Sequence, residues 1–190
     1  MRAALGALLA LAAPPYAAAA SHPPREYLDE ETAATVTVVD EPLVFAFARR
    51  DLAANARDYV TLAPAAVNRM GTVSYVLIAY FWSTIDPRLR EDTPAAATQV
   101  TLLADDRQIE LHPKGSSAHE AGIGMAVHAP PGMDAHPEAY ATDLSVIRFL
   151  AESRHLALRM DTGNTVLDYE LWEDRRPALR DFVRHMNGED

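Results

Sequence analysis

Four histidines fall between residues 112 and 136: His112, His119, His128 and His136, with six, eight and seven residues between successive members. Met125, Met133, Glu120, Asp134 and Glu138 stand among them. Imidazole suits Zn²⁺ and Cu²⁺, and thioether suits Cu⁺. In a chain without cysteine, His and Met are the soft donors that remain. The spacing lacks the i, i+4 pair of a zincin helix. Any copper or zinc site here would therefore be built on a loop, and its candidate ligands are His119, His128 and His136. The plainer reading is a mobile surface loop that carries histidines.

The same stretch holds Lys114-Gly115-Ser116-Ser117 beside His119 and Glu120. Serine, histidine and an acid are the parts of nucleophilic catalysis, but there is no Gly-x-Ser-x-Gly elbow and no Ser-x-x-Lys pattern. A triad is recognised by geometry, so the residue types alone carry little weight. A third group is Asp168, Glu170 and Trp172. Two carboxylates two residues apart on a strand share a face, with Cβ atoms about 7 Å apart. Glycosidases work with carboxyl groups about 5–9 Å apart, and an indole beside them resembles a sugar subsite. The plainer reading is the solvent face of a strand whose other face is Leu167, Tyr169 and Leu171.

Composition narrows the field. Zero cysteines exclude disulfides, thiol catalysis, Cys-ligated zinc and iron–sulfur clusters. With 27 acidic and 17 basic residues the formal charge is −10. This argues against nucleic acid and anionic membrane surfaces, which both require clustered Lys and Arg. Glycine-rich phosphate loops and EF-hand calcium loops are missing.

Residues 1–20 have the plan of an export signal: Arg2, then an apolar Ala/Leu run, a Pro14-Pro15 break, and Ala18-Ala19-Ala20 as a cleavage site. Cleavage is expected after Ala20. The run is shorter than the roughly 20 apolar residues of a membrane-spanning helix. The expected destination is the bacterial periplasm or the medium.

The elements that must position these groups follow from periodicity. Residues 21–34 are acidic and Pro-containing, and are expected as a flexible leader. Residues 35–190 are expected as one globular β-rich domain. Thr35–Val39, Leu43–Arg49 and Tyr59–Ala66 are strand candidates, and Asp51–Asp58 could form one helical turn. Thr72–Ile85 is apolar on both faces, which predicts a strand covered on both sides. Gln99–Ala104 and Arg107–His112 form a hairpin around Asp105-Asp106, as do His155–Met160 and Thr165–Trp172 around residues 161–164. Asp143–Ser153 is a short helix. The chain ends in another helix that carries Leu179, Phe182, Val183 and Met186 on one face, with Asp174 as the expected cap. No βαβ rhythm is present. The expected fold is mainly β: an antiparallel β-sandwich, or a curved sheet backed by the two helices, the C-terminal one packed on the sheet, with α+β as the alternative class.

No catalytic signature is complete. The leading expectation is therefore a non-enzymatic envelope module that binds another protein or a small ligand. A periplasmic metal-binding protein using the loop 112–136 is the alternative, and a hydrolase the third.

Overall fold

The computed structural model describes residues 21–85, 99–130 and 137–189. Residues 1–20, expected as an export signal, the connection at 86–98, and Met133, Asp134 and His136 lie outside the described residues. The strands are β1 (Arg25–Asp29), β2 (Ala34–Val38), β3 (Leu43–Ala48), β4 (Arg57–Arg69), β5 (Thr72–Ser83), β6 (Gln99–Ala104), β7 (Arg107–Pro113), β8 (Glu138–Thr142), β9 (Leu156–Asp161) and β10 (Val166–Glu173). The helices are α1 (Leu144–Glu152) and α2 (Arg176–Met186).

All the pairings are antiparallel, and the sheet closes on itself. Around the ring the order is β3, β10, β9, β6, β7, β8, β5, β4 and back to β3, an eight-stranded barrel. The mainly β class is as expected, but the β-sandwich is corrected to a barrel. A sandwich needs two sheets with separate edges. Here β4 pairs with β3 on one side and β5 on the other, so that boundary does not exist. Inward/outward alternation is the same for a barrel wall and a sandwich layer, so period-2 patterning cannot separate them.

Strand β4 organises the closure. Its first half, Arg57–Leu62, pairs with β3, and its second half pairs on the same side with β2 through Ala65–Asn68. Pro64 sits between the two. Its carbonyl accepts from the Val39 amide at 3.1 Å. Because a residue's N–H and C=O point to the same side in an antiparallel ladder, the missing Pro64 N–H faces the gap where β2 ends and β3 begins. A proline is tolerated there because no ladder bond is lost. On its other side β4 runs with β5 in twelve consecutive pairs from Asp58↔Ser83 to Arg69↔Thr72. The two-residue turn Met70-Gly71 has φ of 51° and 86°, the left-handed pair a type I′ hairpin requires.

The inner wall is packed with side chains. Leu43, Phe45, Val60, Leu62, Leu77, Leu102, Leu158 and Tyr169 are all buried. The predicted hairpin face Val100, Leu102, Ile109 and Leu111 points into this core. Both helices lie at the end marked by the β6–β7 turn. Asp105 in that turn accepts the amides of Arg154 and His155, each at 2.9 Å. Arg107 stacks on Phe149 of α1, and α1 packs against α2. As expected, Leu179, Phe182 and Val183 are buried on one face of α2. Asp174 does not cap α2; Arg175 holds that position, and the Asp174 carboxylate takes the Arg176 amide instead.

Two expectations fail on local grounds. The stretch 51–58 contains no helix: residues 51–56 are turns and loop, and Arg57 and Asp58 already belong to β4. Residues 21–34 are not a free leader, because they contain β1, paired along its length with β2. Their polarity disguised a strand whose anchor is a buried carboxylate. Asp29 is fully buried and accepts from the amides of Glu31, Thr32, Gly124 and Met125 at 2.7–3.2 Å. Burial alone would push this carboxyl up, but the amides of Met125, Gly124 and Thr32 outweigh it and hold the pKa below the usual aspartate value.

That bond set ties the segment 117–130 to the barrel. The outward residues Ala63, Ala65, Val67, Val76, Ile78 and Tyr80 are buried although they face away from the barrel core. Ala118, Ala121, Ile123 and Val127 cover them. A Cβ on Gly122 would stand 2.6 Å from Val67 Cγ1, so only glycine allows that approach. The middle of β5, Val76–Tyr80, is therefore covered on both sides as its pattern predicted, by the barrel interior and by this segment, while its two ends are not.

Asp29→Ala should lower unfolding stability by about 3 kcal/mol, since charge-assisted bonds to buried amides are lost. The wild-type contribution is fully present above the ordinary aspartate pKa of about 3.9 and is lost as pH falls through the lowered native value. Denaturant titrations of both proteins between neutral pH and pH 3 check this, with the gap between them shrinking toward acid.

Candidate functional site

The histidine loop is used structurally where it is described. His119 is exposed. His128 is half-buried, and its Nε2 lies 2.7 Å from the Val39 carbonyl, to which it donates. The Arg25 guanidinium stands against the same ring, at 3.3 and 3.5 Å from its two nitrogens. Desolvation is the main reason its pKa is lowered, with Arg25 adding to the effect and the Val39 bond and Asp40 opposing it. His136 lies outside the described residues. Among the described residues no group of three His, Cys, Asp or Glu side chains is placed to hold a metal ion.

The serine-rich turn is also internally bonded. Glu120 accepts from the Ser116 amide at 2.8 Å and from its hydroxyl at 2.9 Å, while its own amide donates to Ser117 Oγ at 3.3 Å. Lys114 Nζ donates to Ser74 Oγ at 2.8 Å. These bonds shape the turn that launches the covering segment; the acid is spent on Ser116, and neither serine is bonded to His119.

The third group is the one the fold enlarges. Asp168, Glu170 and Trp172 do share the outer face of β10. Asp168 is committed to Arg159 on β9 by two bonds at 2.6 and 2.9 Å. The Glu170 side chain is exposed and makes no hydrogen bond or ion pair with any described residue. The register of β10 on β3 slips between Leu171 and Glu173, a β-bulge at Trp172. A bulge bends its strand and re-aims the side chain it carries. The indole reaches across β3, whose outward residues there are small, to Tyr59 and Arg57 of β4. Ring centroids of Trp172 and Tyr59 are 6.4 Å apart at 76°, and the Arg57 guanidinium lies 4.7 Å from the Trp172 centroid. Tyr59 stacks in turn on Trp82 of β5 at 4.2 Å and 13°, and Trp82 Nε1 donates to Thr61 Oγ1 at 3.0 Å.

The result is an aromatic row across four strands of the outer wall, Trp172, Tyr59 and Trp82, with Arg57 over the first ring and Glu170 beside it. The residue types alone pointed to Trp172 and Glu170. They missed Arg57, Tyr59 and Trp82, which lie about 90–115 positions away and join the site only through strand register. The available signal was parity: Tyr59 and Trp82 occupy outward positions where aromatic side chains need a reason to be. No protein-family model, curated protein or solved structure matches the chain.

His128 carries a pH dependence with a definite sign. Its native pKa is lowered, so the neutral form is favoured in the fold and stability falls as pH drops below the unfolded value of about 6.5. Urea midpoints at pH 7.5 and 5.5 should differ more in the wild type than in His128→Gln, which keeps a donor for Val39 and cannot titrate.

Proposed function

We propose that the chain is an exported bacterial envelope protein acting as a non-enzymatic binding module, with the outer wall of its barrel as the contact surface. The observation that carries this reading is the packed inner wall. Small-barrel proteins that carry ligands inside leave a cavity there, whereas these inward positions are filled by Leu, Phe, Val and Tyr. Recognition then falls to the outside, where the aromatic row and Glu170 gather. The internal bonding of Glu120 and Asp168 supports a binding role over a catalytic one, since both acids are already committed.

A metal-handling role for the loop makes a different demand. His128 would have to exchange its Val39 bond for a metal, together with His119 and His136. Titration of the purified protein with Zn²⁺ and Cu²⁺ tests that alternative, and a His119/His128/His136 triple alanine variant identifies the ligands.

Two measurements test the main reading. Mass spectrometry of the protein recovered outside the cytoplasm should give a chain beginning at Ser21. A screen against ester, peptide and glycoside substrates should show no turnover; turnover abolished by Ser116→Ala, Asp168→Asn or Glu170→Gln would make the protein an enzyme.

A further inference from the structure

The outer wall carries more than a general contact surface. We infer that Trp172, Glu170 and Arg57 form a subsite for a neutral sugar ring, and that the ligand class is a β-linked oligosaccharide. The inference rests on the binding-module reading and names the ligand of that same surface.

Three features point to a sugar. The first is the indole. Trp172 is 53% exposed in a strand, and it is held outward by the bulge and not by a need to fill the core. Its plane is set by contact with Tyr59, and Tyr59 is set by its stack on Trp82. An aromatic face carries negative charge density, so it attracts the weakly positive C–H groups that line a face of a β-pyranose. A preset ring costs little ordering entropy on binding.

The second feature is the polar pair at the rim. A carboxylate is an acceptor only, and a guanidinium is a donor only. Glu170 can take two sugar hydroxyls, while Arg57, lying over the indole, can give N–H bonds to hydroxyl or ring oxygens. Glu170 has no competing partner among the described residues. Asp168, which has one in Arg159, is left out of the site.

The third feature is size and charge. A stable protein interface buries about 800 Å² per partner. Among the described residues, the large exposed apolar side chains on this part of the wall are Trp172 and Val166. Leu28, Leu52, Met70, Val73 and Met125 lie on β1, in turns, at the start of β5 or in the covering segment. The apolar area is that of one ring and its margin. Among the described residues Glu170 and Arg57 flank it, one anion and one cation, which suits a neutral ligand, and the chain's −10 charge disfavours acidic polysaccharides.

The test uses the purified protein with three neutral probes: a β-linked glucose hexamer, a β-linked N-acetylglucosamine hexamer and an α-linked glucose hexamer. Binding is read by calorimetry and tryptophan fluorescence. At least one β-linked hexamer should bind more tightly than the α-linked one, with Kd at or below ~1 mM. Trp172→Ala should weaken it by about tenfold or more. Glu170→Gln, an exposed change that cannot disturb packing, should weaken it several-fold, while Met70→Ala at the far hairpin tip should leave it unchanged. Circular dichroism and Tm of each variant identify any loss of fold. Failure of both β-linked probes to bind, or binding that survives both Trp172→Ala and Glu170→Gln, overturns the inference. A protein partner that docks through Trp172 while the hexamers do not bind would overturn the sugar assignment but keep the binding module. A hexamer cleaved by wild type and spared by Glu170→Gln would keep the sugar subsite and overturn the non-enzymatic reading.

Discussion

The hairpin β4–β5 is apolar on both faces, and the rest of the molecule is arranged to cover it. One face is closed in by curling the sheet until β4 meets β3 on its other side. The opposite face, from Ala63 to Val67 and from Val76 to Tyr80, would remain in contact with water in a bare barrel. The segment from Ala118 to Val127 covers it and replaces a second sheet. A loop can do this only if its backbone polar groups find partners. Asp29 supplies four amides with an acceptor, Thr32 donates to the Gly122 carbonyl at 2.9 Å, and His128 takes the Val39 carbonyl. The polar residues of the first strand and of the long loop are thus parts of one clamp.

The same hairpin divides the outer wall into a covered half and an open half. Along β4 the outward residues change from Ala63, Ala65 and Val67 under the covering segment to Thr61, Tyr59 and Arg57 beyond it. Along β5 the matching change runs from Val76 and Ile78 through Tyr80 to Trp82. The aromatic side chains begin where the cover ends. Trp172 then joins them from the far side of β3 because Ala46 and Ala48 leave room for an indole to cross. The interior is filled by side chains, and the aromatic residues stand on the outer wall.

Much of the architecture is visible in the residues because periodicity is a local property. β5, the β6–β7 and β9–β10 hairpins with their inward faces, and both helices follow from alternation, turn residues and apolar spacing. β1 and β8 do not. β1 (REYLD) is polar, and what orders it is the burial of Asp29 against amides of a segment 95 positions away. β8 is five residues in a stretch rich in Gly and Pro, and its strand character comes from pairing with β5. The segment 117–130 has no periodicity because it packs as irregular backbone, with each apolar contact set by tertiary fit.

Of the candidate chemistry, the residue types identified the histidines, Ser116, Glu120, Asp168, Glu170 and Trp172, and the shared face of the last three followed from strand alternation alone. What each group can do was decided by its neighbours in space. Asp168 lost its freedom to Arg159, Glu120 to Ser116, and His128 to Val39, while Glu170 kept its own. Arg57, Tyr59 and Trp82 came to Trp172 through the register of four strands. Sequence by itself determined most of the elements and the inward faces of the two hairpins, because alternation and helical spacing act over a few residues. Closure into a barrel, the burial of the second face of β4–β5 and the assembly of the aromatic row were settled only in three dimensions, because each depends on which strand edges meet.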